Sequence, residues 1–177
     1  TGVMQAPRHH KLHGQNLWLS AQRSLFWEEE KALVVSDLHF GKTGHFRKAG
    51  IAVPQAVFKE DLQRLLYLIQ FFKPEQIIAV GDLFHSKANL ELDLFKRWRG
   101  DFAQLQFHLV KGNHDILKES WYKETEINLL KEDLQIGDFK FTHEHCHPEN
   151  NGEYVFCGHI HPGIMVKGLG KQALRFP

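Results

Sequence analysis

Short apolar runs separated by charged segments mark the first elements of this chain. The runs at 17–19 and 25–27 flank a polar turn and predict two strands. The run Ala-Leu-Val-Val at 32–35 shows no polar alternation, which is typical of a strand buried on both faces of a central sheet. These patterns predict that a sheet begins near the N-terminus and that its third strand lies in the interior.

Helical periodicity replaces this pattern after Pro54. Apolar residues recur at helical spacing as far as Ile69, and Lys73-Pro74 ends the segment. The later predicted elements are strand 77–80, helix 90–98 closing near Gly100, strand 105–110, hairpin 133–142, strand 154–157 and short strands from 163 onward. Strands and helices that alternate and then give way to strands predict an α/β fold of two mixed sheets, with helices outside.

The chain shows no internal repeat, low-complexity tract or linker, so we expect a single domain over residues 1–177. We expect Met4 to be the natural start, with residues 1–3 a remnant of cloning. We also expect the natural C-terminus to lie beyond Pro177. The sequence gives no basis for predicting an oligomeric state.

Composition narrows the classes of function. A formal net charge of +1 argues against a protein that coats long nucleic acids, because such domains carry a strong basic excess. Two cysteines are too few for a disulfide scaffold, so a cytoplasmic location is expected. No apolar run approaches the roughly 20 residues that span a bilayer, and we expect no membrane partner. The 13 histidines are many for 177 residues, and their placement carries the chemistry.

Polar groups follow five of the predicted strands. They are Asp37 with His39, Asp82, the run from Asn113 through His114 to Asp115, His143, and His159 with His161. In sheets of this kind, ligands collect at the carboxyl ends of the strands. Residues two apart in an extended segment point the same way, so Asp37 and His39 can bind one ion together. The spacing therefore predicts a metal site.

The donor types indicate which metal and which reaction. Carboxylates and imidazoles without thiolates favour Mn, Fe or Zn over Ca or Mg. Two divalent ions, two carboxylates and one hydroxide leave a net charge of about +1, which suits a phosphoryl group under attack. A metal ion also lowers the pKa of bound water to roughly 7 and so supplies a nucleophile. Hydrolysis of a phosphate ester is the reaction that fits.

The ordered blocks D-x-H, GD, GNHD, H and GHxH resemble the calcineurin-like metallophosphoesterase superfamily. The stretches SDLHFGKTGHFRKAGIAVP (36–54) and GDLFHS (81–86) are similar to a bacterial subgroup, the DNA ligase-associated metallophosphoesterases. The resemblance implies a four-layer αββα sandwich without a cap domain. It also implies two divalent ions, manganese before iron or zinc, and a role near DNA repair with DNA or repair proteins as partners.

The resemblance also implies a role for each matching residue. The first ion would be held by Asp37, His39 and His161, the second by Asn113, His143 and His159, with Asp82 bridging both. His114 would be the general acid that protonates the leaving oxygen, and Asp115 would orient it through a hydrogen bond. Two positions depart from the pattern: His85 stands where GDxxD has its second aspartate, and His145 competes with His143 as ligand.

Loop residues beside these blocks are candidates for substrate binding, with a solvated loop as the alternative. They are Lys42, His45, Arg47 and His85. The residues and the resemblance together predict a binuclear metal-dependent phosphodiesterase acting on a nucleic-acid-related or small diester, and the nucleic-acid character is what the resemblance implies. A phosphomonoesterase on the same fold, or a low-turnover binding module in a repair assembly, are the alternatives.

Overall fold

The structure, a computed structural model, describes residues 5–40, 56–84, 90–144, 154–159, 164–167 and 173–176. Its helices are α1 (Ala56–Phe72), α2 (Leu90–Asp101) and α3 (Glu119–Glu124). Its strands are β1 (Arg8–Leu12), β2 (Gln15–Ser20), β3 (Ser24–Trp27), β4 (Ala32–Ser36), β5 (Gln76–Val80), β6 (Gln106–Val110), β7 (Asn128–Leu130), β8 (Leu134–Ile136), β9 (Phe139–Thr142), β10 (Tyr154–Cys157), β11 (Ile164–Lys167) and β12 (Ala173–Phe176).

The larger sheet contains β1 to β7 in sequence order. Strands β1 to β4 pair antiparallel, as short turns allow, whereas β4 to β7 pair parallel and are joined by longer connections. Ser36 lies opposite Val80, and Val80 lies opposite Val110. The chain segments that leave β4, β5 and β6 therefore emerge side by side at one edge of the sheet.

The second sheet has the order β10-β9-β8, with β10 parallel to β9 and β8 antiparallel to it. Thr142 lies opposite Cys157, so His143 and Gly158 leave this sheet as neighbours. Strands β11 and β12 form a separate antiparallel pair. Cys157 is disulfide-bonded. The expected cytoplasmic location, which was inferred from the small number of cysteines, therefore draws no support from Cys157.

Two apolar clusters cover the two faces of the larger sheet. Leu33, Val35 and Ile77 pack with residues of all three helices of the described chain, including Leu65 of α1 and Phe95 of α2. On the opposite face, residues 34, 78 and 80 pack against the phenylalanines of β9. Because both faces are buried, the strand needs apolar side chains at every position, which explains the unbroken run at 32–35.

The predicted fold class is confirmed: two mixed sheets pack together and helices cover the outside. The described residues show three of the four expected layers. Strand β1 was missed, because the exposed run Arg-His-His-Lys-Leu carries no apolar alternation. Helix α2 continues past Gly100 to Asp101. Within the described part of the chain, no helix is both long and apolar enough to cross a bilayer.

Candidate metal centre

The segments that follow β4 and β5 run alongside each other beyond the end of the sheet. The backbone N–H of Asp37 donates to the carbonyl of Gly81 at 3.2 Å, and that of His39 donates to the carbonyl of Asp82 at 2.8 Å. A bridge between Phe40 and Phe84 continues the parallel pairing. This pairing holds the Asp37 and His39 side chains next to Asp82.

Four of the candidate ligands have a left-handed backbone. The φ angles are 50° at Asp37, 49° at His39, 49° at Asp82 and 64° at His159. Residues other than glycine rarely adopt this region, and each instance costs on the order of 1–3 kcal/mol unless its surroundings hold it there. Each of these residues lies in the turn that follows a strand.

These turns bring the side chains into two groups that share Asp82. One group is Asp37, His39 and Asp82, and the other is Asp82, His143 and His159. Within each group the potential ligand atoms lie within 4.8 Å of one another. A carboxylate common to two clusters of carboxylate and imidazole donors suits two divalent ions of the Mn, Fe or Zn type. Their role as ligands stays a prediction.

The Asp82 carboxylate is buried, with 2% of the residue exposed. Its Oδ1 accepts a bond from the backbone N–H of His114 at 2.9 Å, and its Oδ2 lies 3.4 Å from Nε2 of His143. Burial opposes ionisation, but the contacts with His143 and His114 outweigh it and lower the pKa of Asp82 to about 2. Asp82 therefore carries a negative charge at neutral pH.

His143 is also buried, and its ring lies beside Asn113, which the resemblance assigns to the second ion together with His143. Its Nε2 lies 3.0 Å from Oδ1 of Asn113, and its Nδ1 lies 3.4 Å from the carbonyl of Val80. Burial disfavours the charged imidazole, yet the bond and the charge of Asp82 raise the pKa of His143 above its usual value. A metal ion would have to displace that proton, since only the neutral ring coordinates.

The second sheet contributes His159 to the centre. The backbone N–H of His159 donates to both carboxylate oxygens of Asp37, at 3.1 and 3.2 Å. The rings of His143 and His159 meet edge to face, with centroids 5.0 Å apart. These contacts tie the edge strand β10 to the end of β4, so both sheets form the centre together.

Three glycines beside the ligands leave no room for a side chain, and a Cβ at Gly158 would lie 2.4 Å from the carbonyl oxygen of Val80. A Cβ at Gly81, whose φ is +74°, would lie 1.9 Å from Nδ1 of His143. A Cβ at Gly112 would lie 2.3 Å from Oδ1 of Asp82 and 2.4 Å from its backbone nitrogen. The glycines that precede Asp82 and Asn113 in the sequence motifs are therefore required by close backbone approach.

Asp115 contacts the backbone rather than serving only as a partner for His114. Its Oδ1 accepts a bond from the N–H of Phe84 at 3.0 Å, and its Oδ2 accepts one from the N–H of Gly112 at 2.9 Å. Burial raises the pKa of Asp115 to about 6, although these two bonds act in the opposite direction. Asp115 thus joins the loop of Asp82 to the loop of Asn113, and the predicted bond to His114 stays a prediction.

This contact also bears on the missing second aspartate of the GDxxD pattern. His85 stands at the position of that aspartate in the sequence, and a histidine offers no fixed negative charge to support the Asp82 loop. Asp115 supplies a buried carboxylate to the adjacent residue, Phe84, from another part of the chain. Asp115 could be singled out in the sequence, but its contact with Phe84, 31 positions away, could not be predicted from it.

The Asp115→Asn variant is expected to lower kcat about tenfold and to reduce the free energy of unfolding by about 1–2 kcal/mol. The amide can accept one of the two N–H bonds but presents its own N–H to the other. Steady-state kinetics and thermal unfolding test this, with exposed Asp101→Asn on α2 as the control. A thousandfold loss of kcat at unchanged Tm would instead assign Asp115 to His114.

Several predicted site residues lie outside the described residues. They are His161, Lys42, His45, Arg47 and His85, together with the competing ligand His145. Their roles stay predictions. The described residues bring together the other predicted ligands, Asp37, His39, Asp82, Asn113, His143 and His159, with His114 beside them; the rings of His39 and His114 lie 5.6 Å apart.

Comparison with known proteins adds a family and a structural neighbour. A sequence model described as calcineurin-like phosphoesterase matches residues 30–161. The crystal structure of the Pseudomonas putida nuclease MPE superposes with a TM-score of 0.77 at 29% sequence identity. That alignment covers 97% of this chain and 80% of the nuclease chain. No curated protein sequence matches the chain.

Proposed function

The chain belongs to the calcineurin-like phosphoesterase family, and on that premise we propose that it is a two-metal phosphodiesterase acting on a nucleic-acid-related diester. The metal-dependent hydrolysis of a phosphate ester follows from the family and from the two candidate metal-binding groups. The diester, its nucleic-acid character and the residue roles are the proposal. The observation that carries it is the buried Asp82 carboxylate shared between both groups.

Each ion has its own candidate donors. Asp37 and His39, with His161, would hold the first, and Asn113, His143 and His159 would hold the second. Two divalent ions, manganese before iron or zinc, would activate water and offset the negative charge on the phosphoryl group. Asp82, ionised and buried, would keep the ions adjacent and fixed.

His114 is proposed as the general acid. Its backbone N–H is fixed by Asp82, and its loop is tied to the Asp82 loop through Asp115. A histidine held at the rim of the centre can donate a proton to the leaving oxygen of a diester, which is a poor leaving group without one. His39 lies beside it, with ring centroids 5.6 Å apart.

The nucleic-acid character of the substrate draws on the structural neighbour, which is a nuclease. The resemblance of residues 36–54 and 81–86 to the DNA ligase-associated subgroup adds a role near DNA repair in the cytoplasm. Basic loop residues such as Lys42 and Arg47, with His45 and His85, would contact the phosphate backbone.

Two chromogenic substrates that release the same leaving group test whether the protein prefers a diester. With Mn²⁺, the protein is expected to hydrolyse thymidine 5′-(p-nitrophenyl phosphate) with a kcat/KM at least about tenfold above that for p-nitrophenyl phosphate. At neutral pH the monoester carries two negative charges, whereas the diester carries one. A centre matched to a singly charged diester should therefore stabilise the transition state of the monoester less well. A preference for the monoester would assign the protein to the phosphomonoesterases, and no hydrolysis of either ester would overturn the proposal.

A further inference from the structure

A pocket of about 190 Å³ lies between the two sheets at the end where the candidate ligands emerge. It is lined by the start of β3 and by the last residues of three other strands, Ser36 of β4, Val80 of β5 and Cys157 of β10. Each of those three strands is followed within two residues by a candidate ligand, namely Asp37, Asp82 or His159. A group bound in the pocket would therefore lie beside the metal centre.

The lining of the pocket is mostly apolar. Leu25 and Val34 line one side from the larger sheet, and Phe156 lines the other side from β10. Leu25 and Phe156 are only partly buried, although both contact the cluster between the sheets. Apolar side chains that border an open space in a sheet interface leave a site into which an apolar group can insert.

The shape and the charge restrict what that group can be. The space lies between two packed sheets, which face each other at about 10 Å, so a flat group fits better than a bulky one. Phe156 stacks on Phe141 with an interplanar angle of 19°, which leaves an aromatic ring at the pocket wall. Arg23 is the charged residue among the lining residues of the described chain, and its positive charge suits an anionic ligand.

We propose that this pocket binds the nucleobase of the nucleotide whose phosphate lies at the metal centre. The inference rests on the proposed function, because only a nucleic-acid-related diester joins a flat ring to the reacting phosphate through a sugar. Stacking on an aromatic side chain contributes to binding with any base, so the pocket selects for a nucleoside rather than for a sequence. Leu25, Val34 and Phe156 then determine specificity without touching the phosphate.

The test compares three diesters that release the same p-nitrophenolate: the thymidine 5′-, methyl and hexyl esters of p-nitrophenyl phosphate. The wild type should prefer the thymidine ester to the methyl ester by about tenfold in kcat/KM, the effect expected of one stacked base. Leu25→Trp fills the pocket and should abolish that preference, while hydrolysis of the methyl ester stays within about twofold. The chemistry at the centre is the same for all three substrates.

Phe71→Trp is the control. Phe71 lies on α1, which packs on the other face of the larger sheet, is 52% exposed and does not line the pocket, so this substitution should leave the preference unchanged. Should Leu25→Trp lower Tm strongly, Phe156→Leu removes the ring while keeping an apolar wall, and it should reduce the preference by at least about threefold.

Three results separate the inference from the function on which it rests. The pocket assignment alone would be overturned if the wild type hydrolysed all three esters equally. It would also be overturned if both Leu25→Trp and Phe156→Leu retained the thymidine preference. A hexyl ester that matches the thymidine ester and loses as much in Leu25→Trp would show a general apolar site and overturn the nucleobase. Protein with bound Mn²⁺ that hydrolyses none of the esters would overturn the proposed function itself.

Discussion

Replacement of Asp82 by asparagine is expected to lower kcat/KM for diester hydrolysis on the order of a thousandfold. The amide has nearly the same size as the carboxylate and can still accept the backbone N–H of His114, so the fold should persist. It carries no charge, however, and Asp82 belongs to both candidate metal-binding groups. The substitution should therefore weaken the binding of both ions at once.

Elemental analysis of the purified variant gives the decisive readout. Asp82→Asn should retain markedly less than the wild-type content of divalent metal after dialysis, and excess Mn²⁺ should restore only part of the activity. Asp93→Asn on the exposed surface of α2 removes the same charge and should change neither quantity. Full metal content together with full activity in Asp82→Asn would refute the shared-carboxylate arrangement.

The Gly112→Ala variant is expected to lose at least about a hundredfold in activity and about 2–3 kcal/mol in the free energy of unfolding. Its methyl group would lie 2.3 Å from Oδ1 and 2.4 Å from the backbone nitrogen of Asp82. The backbone nitrogen belongs to a loop already paired with His39, and Gly112 itself donates to Asp115, so relief of the contact must shift the shared carboxylate or the loop that contains Asn113.

Gly100 of α2 is the matched control, because a methyl group there meets nothing within 4 Å. Gly100→Ala should leave activity unchanged and raise the free energy of unfolding by about 0.5–1 kcal/mol, the usual gain for alanine in a helix. Denaturant unfolding monitored by circular dichroism measures both variants. Wild-type stability and activity in Gly112→Ala would mean that the two loops are farther apart than described.

The parts of the fold that sequence predicted are those set by short-range pattern. The unbroken apolar run of β4 requires burial on both faces, and the helical spacing after Pro54 corresponds to α1. The donor residues could also be found, since carboxylates and imidazoles directly follow apolar strands. The structure places Asp37, His39, Asp82, His143 and His159 in two groups that share Asp82. The role of Asp82 as a bridge between two ions stays a prediction.

The features that sequence could not predict depend on contacts between distant segments. Arg99 reads as a solvated helix residue, yet it is 4% exposed, and its guanidinium donates to the carbonyls of Phe102 and Leu105. The two backbone N–H partners of Asp115 are likewise set by how loops meet. No local periodicity encodes such pairings.

The left-handed backbone at Asp37, His39, Asp82 and His159 has a consequence for engineering. Glycine or asparagine would occupy these conformations at lower cost than histidine does, so the side chains proposed as metal ligands are held at a cost in stability. A campaign that selects only for heat resistance, without metal or substrate, should therefore accumulate substitutions in these turns. The most thermostable descendants of this protein would then be its least active ones.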